Sequence, residues 1–185
     1  RDCLLSRGLG DVYKRQKYAA AGSRIVNANT FGASAHKLAG SAYSLEEIIA
    51  AGIANCKRAC APYGALTTLD VGPLGELLEP SGTLAFEDAV NEYARIVRAG
   101  VAAGADLIFF ETFTDLYELK AALLAAKENS TLPILASMSF EAGGRTFTGC
   151  TVESFGVTAR GLGANAVGIN CSLGPKEIYP MAKRL

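Results

Sequence analysis

Four side chains that can do chemistry lie at the ends of apolar segments in this chain. Cys171 follows the run from Ala166 and precedes the Gly174-Pro175 turn, while Glu111, Asn29 and Asp70 lie at the ends of three other runs. A thiolate can act as a nucleophile or a metal ligand, and a carboxylate can bind a cation such as an ammonium group. The pattern predicts a small-molecule site that contains one thiol and two carboxylates.

Each of these residues also has a structural alternative. A lone cysteine in an apolar strand is most often a small buried hydrophobe, so Cys171 could simply pack in the core. Glu111 could cap the following helix or pair with a lysine, although an unpaired buried carboxylate is costly. Asp70 lies just before Gly72-Pro73 and could stabilise that turn. The residue types alone leave both interpretations open.

The elements that must position these residues alternate along the chain from Lys17 onward. The predicted strands, apolar on both faces as in a parallel sheet covered by helices, are Arg24–Thr30, Leu66–Val71, Asp106–Thr112, Ile134–Phe140 and Ala166–Cys171. The predicted helices are Leu45–Ala59, Phe86–Ala103, Asp115–Lys127, Glu153–Leu162 and one that begins at Lys176. Ser44 and Glu47 form a capping-box pattern at the start of the first helix.

This alternation predicts an α/β fold, either an open doubly wound sheet or a barrel. No Gly-x-Gly-x-x-Gly follows a strand, and polar residues recur at the carboxyl ends of successive strands, Ser139 among them. The alternation of side chains also predicts that Val167, Ile169 and Cys171 share the inner face. We therefore predict a partial (β/α)8 TIM barrel of about five strand–helix units, because 185 residues fall short of the roughly 250 of a whole barrel.

Composition excludes several function classes. Lys plus Arg and Asp plus Glu are both 18, so no net charge attracts nucleic acid or an anionic membrane. No apolar run has the length of a membrane span. The five irregularly spaced cysteines argue against a disulfide framework and for a reducing cytoplasmic location. Cys56 and Cys60 are predicted to be helix filler, and Cys150 is predicted to be structural.

The first sixteen residues are predicted not to be native. The sequence of Ser6–Gln16 matches the translation of one reading frame of a transposase-end sequencing adapter. Arg1–Leu5 would be part of the same translated adapter. The alternative is a natural basic N-terminal arm. We therefore assign residues 1–16 to an adapter translation and residues 17–185 to one domain.

From about Tyr18 to Leu185 several ordered motifs have matching spacings in a known family. They are Asn29-Thr30-Phe31-Gly32, Asp70-Val71-Gly72-Pro73, Gly143-Gly144-Arg145-Thr146-Phe147-Thr148-Gly149 and Gly168-Ile169-Asn170-Cys171-Ser172-Leu173-Gly174-Pro175. The chain resembles the homocysteine S-methyltransferase family, above all the homocysteine-binding module of cobalamin-dependent methionine synthases.

The resemblance implies a site that binds homocysteine as a zinc thiolate and methylates it to methionine. Cys171 would be one zinc ligand, and two further cysteines of a Gly-Gly-Cys-Cys-Gly segment would follow Leu185. Three thiolates leave the fourth tetrahedral position to the substrate thiol. Glu111 would contact the amino group of homocysteine, and Asn29 and Asp70 would line the pocket.

The resemblance also implies what this chain lacks. The family's first strand would precede Lys17 and its last two strands would follow Leu185, so the fragment is expected to be inactive. Methylcobalamin, the implied methyl donor, would be carried on another module of the parent methionine synthase. Two alternatives stay open: a betaine- or S-methylmethionine-dependent homocysteine methyltransferase, and a non-catalytic small-molecule-binding barrel in which Cys171 is structural.

Overall fold

The computed structural model describes residues 3–185, with side chains described from Gly10 onward. Its strands are β1 (Ile25–Asn27), β2 (Leu66–Val71), β3 (Leu107–Phe113), β4 (Ile134–Met138) and β5 (Ala166–Ile169). Its helices are α1 (Cys3–Ala20), α2 (Leu45–Cys60), α3 (Phe86–Ala102), α4 (Leu116–Asn129), α5 (Val152–Gly161) and α6 (Pro175–Ala182). A short 3-10 turn, Ala61–Tyr63, follows α2.

The five strands form one parallel sheet in the order β1-β2-β3-β4-β5. Because each strand pairs with the next along the chain and the helices lie between them, the sheet curls into half of a barrel. The predicted partial TIM barrel is confirmed. β2 has the predicted bounds, whereas β1 and β5 are shorter because their predicted last residues leave the ladder.

Side-chain caps fix the starts of three helices. Ser44 and Glu47 form the predicted capping box of α2, in which the Ser44 amide donates to Glu47 Oε2 at 2.8 Å. Thr151 caps α5 as expected from its position. Asp115 caps α4, and its carboxylate accepts from the amides of the next helical turn. These caps satisfy amides that would otherwise lack a partner.

The core lies between the sheet and the helices. Its largest fully buried side chains include Tyr93, Phe110, Phe113, Leu123 and Phe155. The opposite, concave face of the sheet stays open. There Ile25 is 45 % exposed and Leu66 is 48 % exposed, although both lie in strands. The two sides of one sheet therefore differ sharply in how well they are covered.

A bulge interrupts β3 at the point where the site begins. Phe110 and Phe113 are both fully buried on the helix side, although a regular strand would place residues three apart on opposite faces. The pairing with β4 shifts register between them, and Thr112 adopts a left-handed φ of 66°. The extra residue re-aims Glu111 and Thr112, as bulges beside functional sites often do.

Helix α1 runs across the predicted boundary at residues 16 and 17 without a break. Arg15 donates from Nε to the Asn27 carbonyl on the outer edge of β1 at 2.7 Å and pairs with Asp11. Arg1 and Asp2 lie outside the described residues, and the non-native origin of residues 1–16 stays a prediction. Within residues 3–185, no helix combines the length and apolar character needed to cross a membrane.

Candidate functional site

Three of the four predicted site residues meet at the carboxyl ends of β2, β3 and β5. In the parallel register Asp70 lies opposite Phe109, which places Glu111 one step diagonally beyond it on the same concave face. Glu111 is linked through Asn170 to the backbone that carries Cys171. The two carboxylates and the thiol therefore line one continuous stretch of the mouth.

Asp70 is held by its backbone while part of its carboxylate has no partner. The Thr30 hydroxyl accepts from the Asp70 amide at 3.0 Å and donates to the Asp70 carbonyl at 2.8 Å. The residue is only 6 % exposed, and its Oδ1 atom has no hydrogen-bond partner among the described residues. Burial, together with the nearby Glu111 carboxylate, raises the pKa of Asp70 to about 8. Because Oδ1 has no hydrogen-bond partner among the described residues, this oxygen does not stabilise the Gly72-Pro73 turn.

Glu111 is half-buried on the bulge, and its hydrogen-bond partner Asn170 lies just beyond the end of β5. Asn170 Nδ2 donates to Glu111 Oε2 at 3.3 Å. Burial raises the pKa of Glu111. The alternative in which Glu111 caps the next helix does not apply, because Asp115 supplies that cap. Two adjacent carboxyl groups with raised pKa values form a site that favours a cation or a shared proton.

Cys171 is exposed at the mouth because the chain turns sharply out of β5. Its backbone has a left-handed φ of 60°, and Ser172 continues the turn with a φ of 55°. The prediction that Val167, Ile169 and Cys171 share the inner face is wrong. Val167 and Ile169 pack against the helix-side core, since the strand ends at Ile169 and Cys171 lies beyond the regular alternation.

The sequence analysis missed Asn170, which joins the parts of the site. Its Oδ1 accepts from the Thr112 amide at 3.2 Å and the Ser137 hydroxyl at 2.9 Å, and its Nδ2 donates to Thr112 Oγ1 at 2.8 Å. Cys171 Sγ lies 3.7 Å from both Asn170 Nδ2 and Thr112 Oγ1. The sequence signal was available, because Asn170 directly precedes the cysteine at the end of the same strand.

Two other predicted positions have different outcomes. Ser139 joins the mouth, where its hydroxyl donates to the Asn170 carbonyl at 3.0 Å. Asn29 is exposed beyond the end of β1, and among residues 10–185 its side chain shares no hydrogen bond with the network around Asn170. The structure therefore brings together Asp70, Glu111 and Cys171 but not Asn29.

The side chains at the mouth include ligand types that zinc prefers, but they are too few to hold the ion. Within the described part of the chain, no three His, Cys, Asp or Glu side chains converge as a metal site. Cys56 and Cys60 are buried in α2 with their sulfurs 3.9 Å apart, and burial raises the pKa of Cys56 to about 11. Cys150 is half-buried and donates to the Thr151 carbonyl. Among the cysteines whose side chains the structure describes, Cys171 alone offers an exposed thiol, and one thiol falls short of the four ligands of a tetrahedral site.

The fold and site define an α/β half-barrel that gathers its polar side chains at the carboxyl ends of parallel strands, as barrel enzymes do. A sequence profile of the homocysteine S-methyltransferase family matches residues 13–185. The chain belongs to the homocysteine S-methyltransferase family.

Individual relatives agree with this assignment. A methionine synthase from Mycobacterium tuberculosis is 27 % identical over 182 residues, which cover 92 % of this chain and 15 % of that protein. The apo crystal structure of the homocysteine methyltransferase MmuM from Escherichia coli has a TM-score of 0.73 at 17 % identity, over 95 % of this chain and 66 % of that one. This chain thus spans about a seventh of the methionine synthase it matches.

A further structural match shows the fold alone. The carboxyl transferase domain of Rhizobium etli pyruvate carboxylase has a TM-score of 0.55 at 14 % identity, over 88 % of this chain and 24 % of that one. Its presence among the similar structures means that the half-barrel by itself does not define a reaction. The site residues must carry the functional argument.

Proposed function

We propose that this chain is part of an enzyme that transfers a methyl group to homocysteine, and that it supplies the groups that recognise the amino acid. The observation that carries the proposal is the continuous contact from Glu111 through Asn170 to Cys171 at the mouth of a chain of this family. In this proposal the Glu111 carboxylate binds the α-ammonium group, and the Cys171 thiol helps to hold the substrate sulfur.

The chain's own residues have separate tasks in this proposal. Glu111 binds the α-ammonium group through a charge-assisted hydrogen bond. Asp70 lies behind it with an unpartnered oxygen, so a bound cation would stabilise the carboxylate that burial otherwise disfavours. Asn29, exposed at the rim, is proposed as a weaker contact to the substrate. The half-barrel orients these groups through strand ends rather than through flexible loops.

Zinc belongs to the proposal as a group that this chain would only partly ligate. Cys171 would be its thiolate ligand here, and further ligands would come from outside the described residues. When bound, zinc would lower the pKa of the homocysteine thiol so that it is presented as a thiolate. We propose that the 185-residue chain alone holds zinc poorly and does not methylate homocysteine, because one thiolate does not make a stable site.

The methyl donor and the setting of the enzyme are finer points of the same proposal. We propose methylcobalamin on another module of a methionine synthase, in the cytoplasm, with no nucleic acid or membrane as partner. The likeness to a methionine synthase supports this choice. The likeness to the smaller homocysteine methyltransferase MmuM keeps donors such as S-methylmethionine or betaine as the second candidate.

The test of ligand recognition is an NMR titration of the 185-residue chain with L-homocysteine. We expect weak, saturable binding that Glu111→Gln reduces about ten- to hundredfold, because a charge-assisted contact is lost. Glu128→Gln is the matched control, since Glu128 is an exposed glutamate at the far end of α4. Binding that the two variants weaken equally would leave the non-catalytic barrel as the better account.

The test of the metal assignment is zinc analysis of the dialysed chain. We expect much less than one zinc per chain, with the residual amount lost in Cys171→Ser and kept in Cys150→Ser. Stoichiometric zinc that survives dialysis and disappears in Cys171→Ser would show that our ligand count for this chain is wrong.

A further inference from the structure

The side-chain amide of Asn170 is bonded on both sides, and its orientation is fixed by the chemistry of its neighbours. The Thr112 backbone amide can only donate, so it must face Oδ1. A Glu111 carboxylate can only accept, so it must face Nδ2. Rotating the amide by half a turn would place Nδ2 against the Thr112 N–H, which is also a donor. It would place Oδ1 against the Glu111 carboxylate, which is also an acceptor. One asparagine side chain therefore holds β3 and β5 in a defined relation.

The same amide contacts two residues that have unfavourable backbone conformations. Thr112 is β-branched and has a φ of 66°, which such residues rarely adopt, and Cys171 has a φ of 60°. Asn170 contacts Thr112 through both the backbone amide and the hydroxyl, and its own backbone leads directly into Cys171. Without these bonds, both residues would relax toward ordinary backbone angles. Glu111, on the bulge beside Thr112, would then move relative to the cysteine.

We propose that Asn170 is a positioning residue that sets the separation between the ammonium-binding carboxylate of Glu111 and the thiol of Cys171. The proposal rests on the function proposed above and assigns a task to a residue that touches neither reacting group of the substrate. An α-amino thiol presents its ammonium and its sulfur at a distance that its carbon chain limits. A site that recognises both ends must keep its two partners at a matching distance.

The chain contains a matched control at the other end of the same strand. Asn165 Oδ1 accepts from the Ile134 amide at 2.8 Å, just before β5 begins. Asn165 and Asn170 thus both use a side-chain amide to hold a backbone N–H of another strand, but only Asn170 lies at the mouth. Asn165→Ala removes one side-chain bond between strands, whereas Asn170→Ala removes the bonds to Thr112, Ser137 and Glu111. Asn165→Ala therefore controls for the loss of a bond between strands that lies far from the mouth.

The experiment compares Asn170→Ala, Asn170→Asp and Asn165→Ala in the 185-residue chain by NMR titration with L-homocysteine. We expect Asn170→Ala to weaken binding about tenfold and Asn165→Ala to weaken it less than twofold. Asn170→Asp keeps both acceptor bonds but turns a carboxylate toward Glu111, so binding should weaken at least as much as in Asn170→Ala. Equal losses in the two alanine variants, or wild-type affinity in Asn170→Asp, would overturn the proposal.

A measurement without ligand separates this proposal from the proposed function. We expect the Thr112 amide to exchange with solvent at least about tenfold faster in Asn170→Ala, and at the wild-type rate in Asn165→Ala. If the wild-type chain binds no homocysteine, the proposed function fails while this exchange pattern still shows that Asn170 holds the turn. Unchanged exchange of Thr112 in Asn170→Ala would overturn the positioning role by itself.

Discussion

Glu118 and Asp70 are two buried carboxylates on opposite sides of the sheet, and their surroundings differ. Glu118, 4 % exposed on the helix side, accepts from the Leu74 amide at 2.7 Å and from the Tyr93 hydroxyl at 2.8 Å. Asp70, 6 % exposed on the concave side, has an Oδ1 atom without a partner and a second carboxylate beside it. The two carboxylates are buried to nearly the same extent. Glu118 accepts hydrogen bonds from two donors, whereas Asp70 Oδ1 has no partner among the described residues.

The difference separates a structural carboxylate from one that is available to a ligand. Burial raises the pKa of Glu118, while the bonds from Leu74 and Tyr93 oppose that rise. Glu118 thereby fixes the loop that follows β2, the strand that carries Asp70. The Oδ1 atom of Asp70 has no hydrogen-bond partner among the described residues, a condition that proteins tolerate mainly where function requires it. Burial alone would not have distinguished the two residues.

The largest expected effect comes from removing the carboxylate of Glu118, which accepts two buried hydrogen bonds. Glu118→Ala should lower the free energy of unfolding by about 3 kcal/mol or more, because it orphans the Leu74 amide and the Tyr93 hydroxyl in a buried place. Glu118→Gln keeps an acceptor oxygen of the same shape and should cost much less. Urea denaturation of the two variants checks this. A small loss in Glu118→Ala would mean that the network does not hold the loop.

Much of this organisation could be predicted from sequence, because it depends on local patterns. The alternation of apolar runs and helical segments predicted the half-barrel, the bounds of β2 and the capping box at Ser44. The positions of Asp70, Glu111 and Cys171 at strand ends predicted that they would meet. These features are determined within a few residues of each position, which is the range that periodicity and capping rules describe.

The rest depends on contacts between distant parts of the chain. The bulge at Thr112 and the turn at Cys171 are held by Asn170, which is 58 residues from Thr112. No local propensity predicts a left-handed threonine, since its backbone angle is stabilised only after β3 and β5 are both in place. The spacing of Phe110 and Phe113 was the one local sign of the bulge. Asn29 lies beyond the strand because β1 ends three residues earlier than predicted.

A second prediction tests the uncompensated carboxylate through the dependence of stability on pH. The pKa of Asp70 is raised from its ordinary value of 3.8 to about 8 in the folded chain. Between those values the folded state holds the proton and the unfolded state does not, so stability falls as pH rises. Each pH unit in that window costs up to about 1.4 kcal/mol. The stabilising contribution is fully present below pH 3.8 and is lost as pH passes through about 8.

Asp70→Asn isolates this contribution, because the amide cannot ionise. The unfolding free energy of the variant minus that of the wild type should become more positive from about pH 5 to pH 8, measured by urea denaturation at each pH. Glu118 also has a raised pKa and remains in the variant, whereas the pKa of Glu111 depends on Asp70, so the difference between the two curves reports on the Asp70–Glu111 pair. Parallel curves would show that Asp70 is charged and compensated in the folded chain.

The smallest expected effect concerns Arg15, a cation of α1 that bonds to the outer edge of β1. The positive charge of Arg15 lowers the pKa of Asp70, against the larger upward effects of burial and Glu111. Arg15→Gln should therefore raise the midpoint of the Asp70 titration by a few tenths of a pH unit, followed by carboxyl carbon NMR. Lys14→Gln, which changes an exposed neighbour in the same helix, should leave the midpoint in place. A lower or unchanged midpoint in Arg15→Gln would show that the charge of Arg15 does not lower the pKa of Asp70.

The result also matters for residues 1–16, which include Arg15. A chain without that segment would hold the Asp70 proton more tightly and would need a bound cation even more.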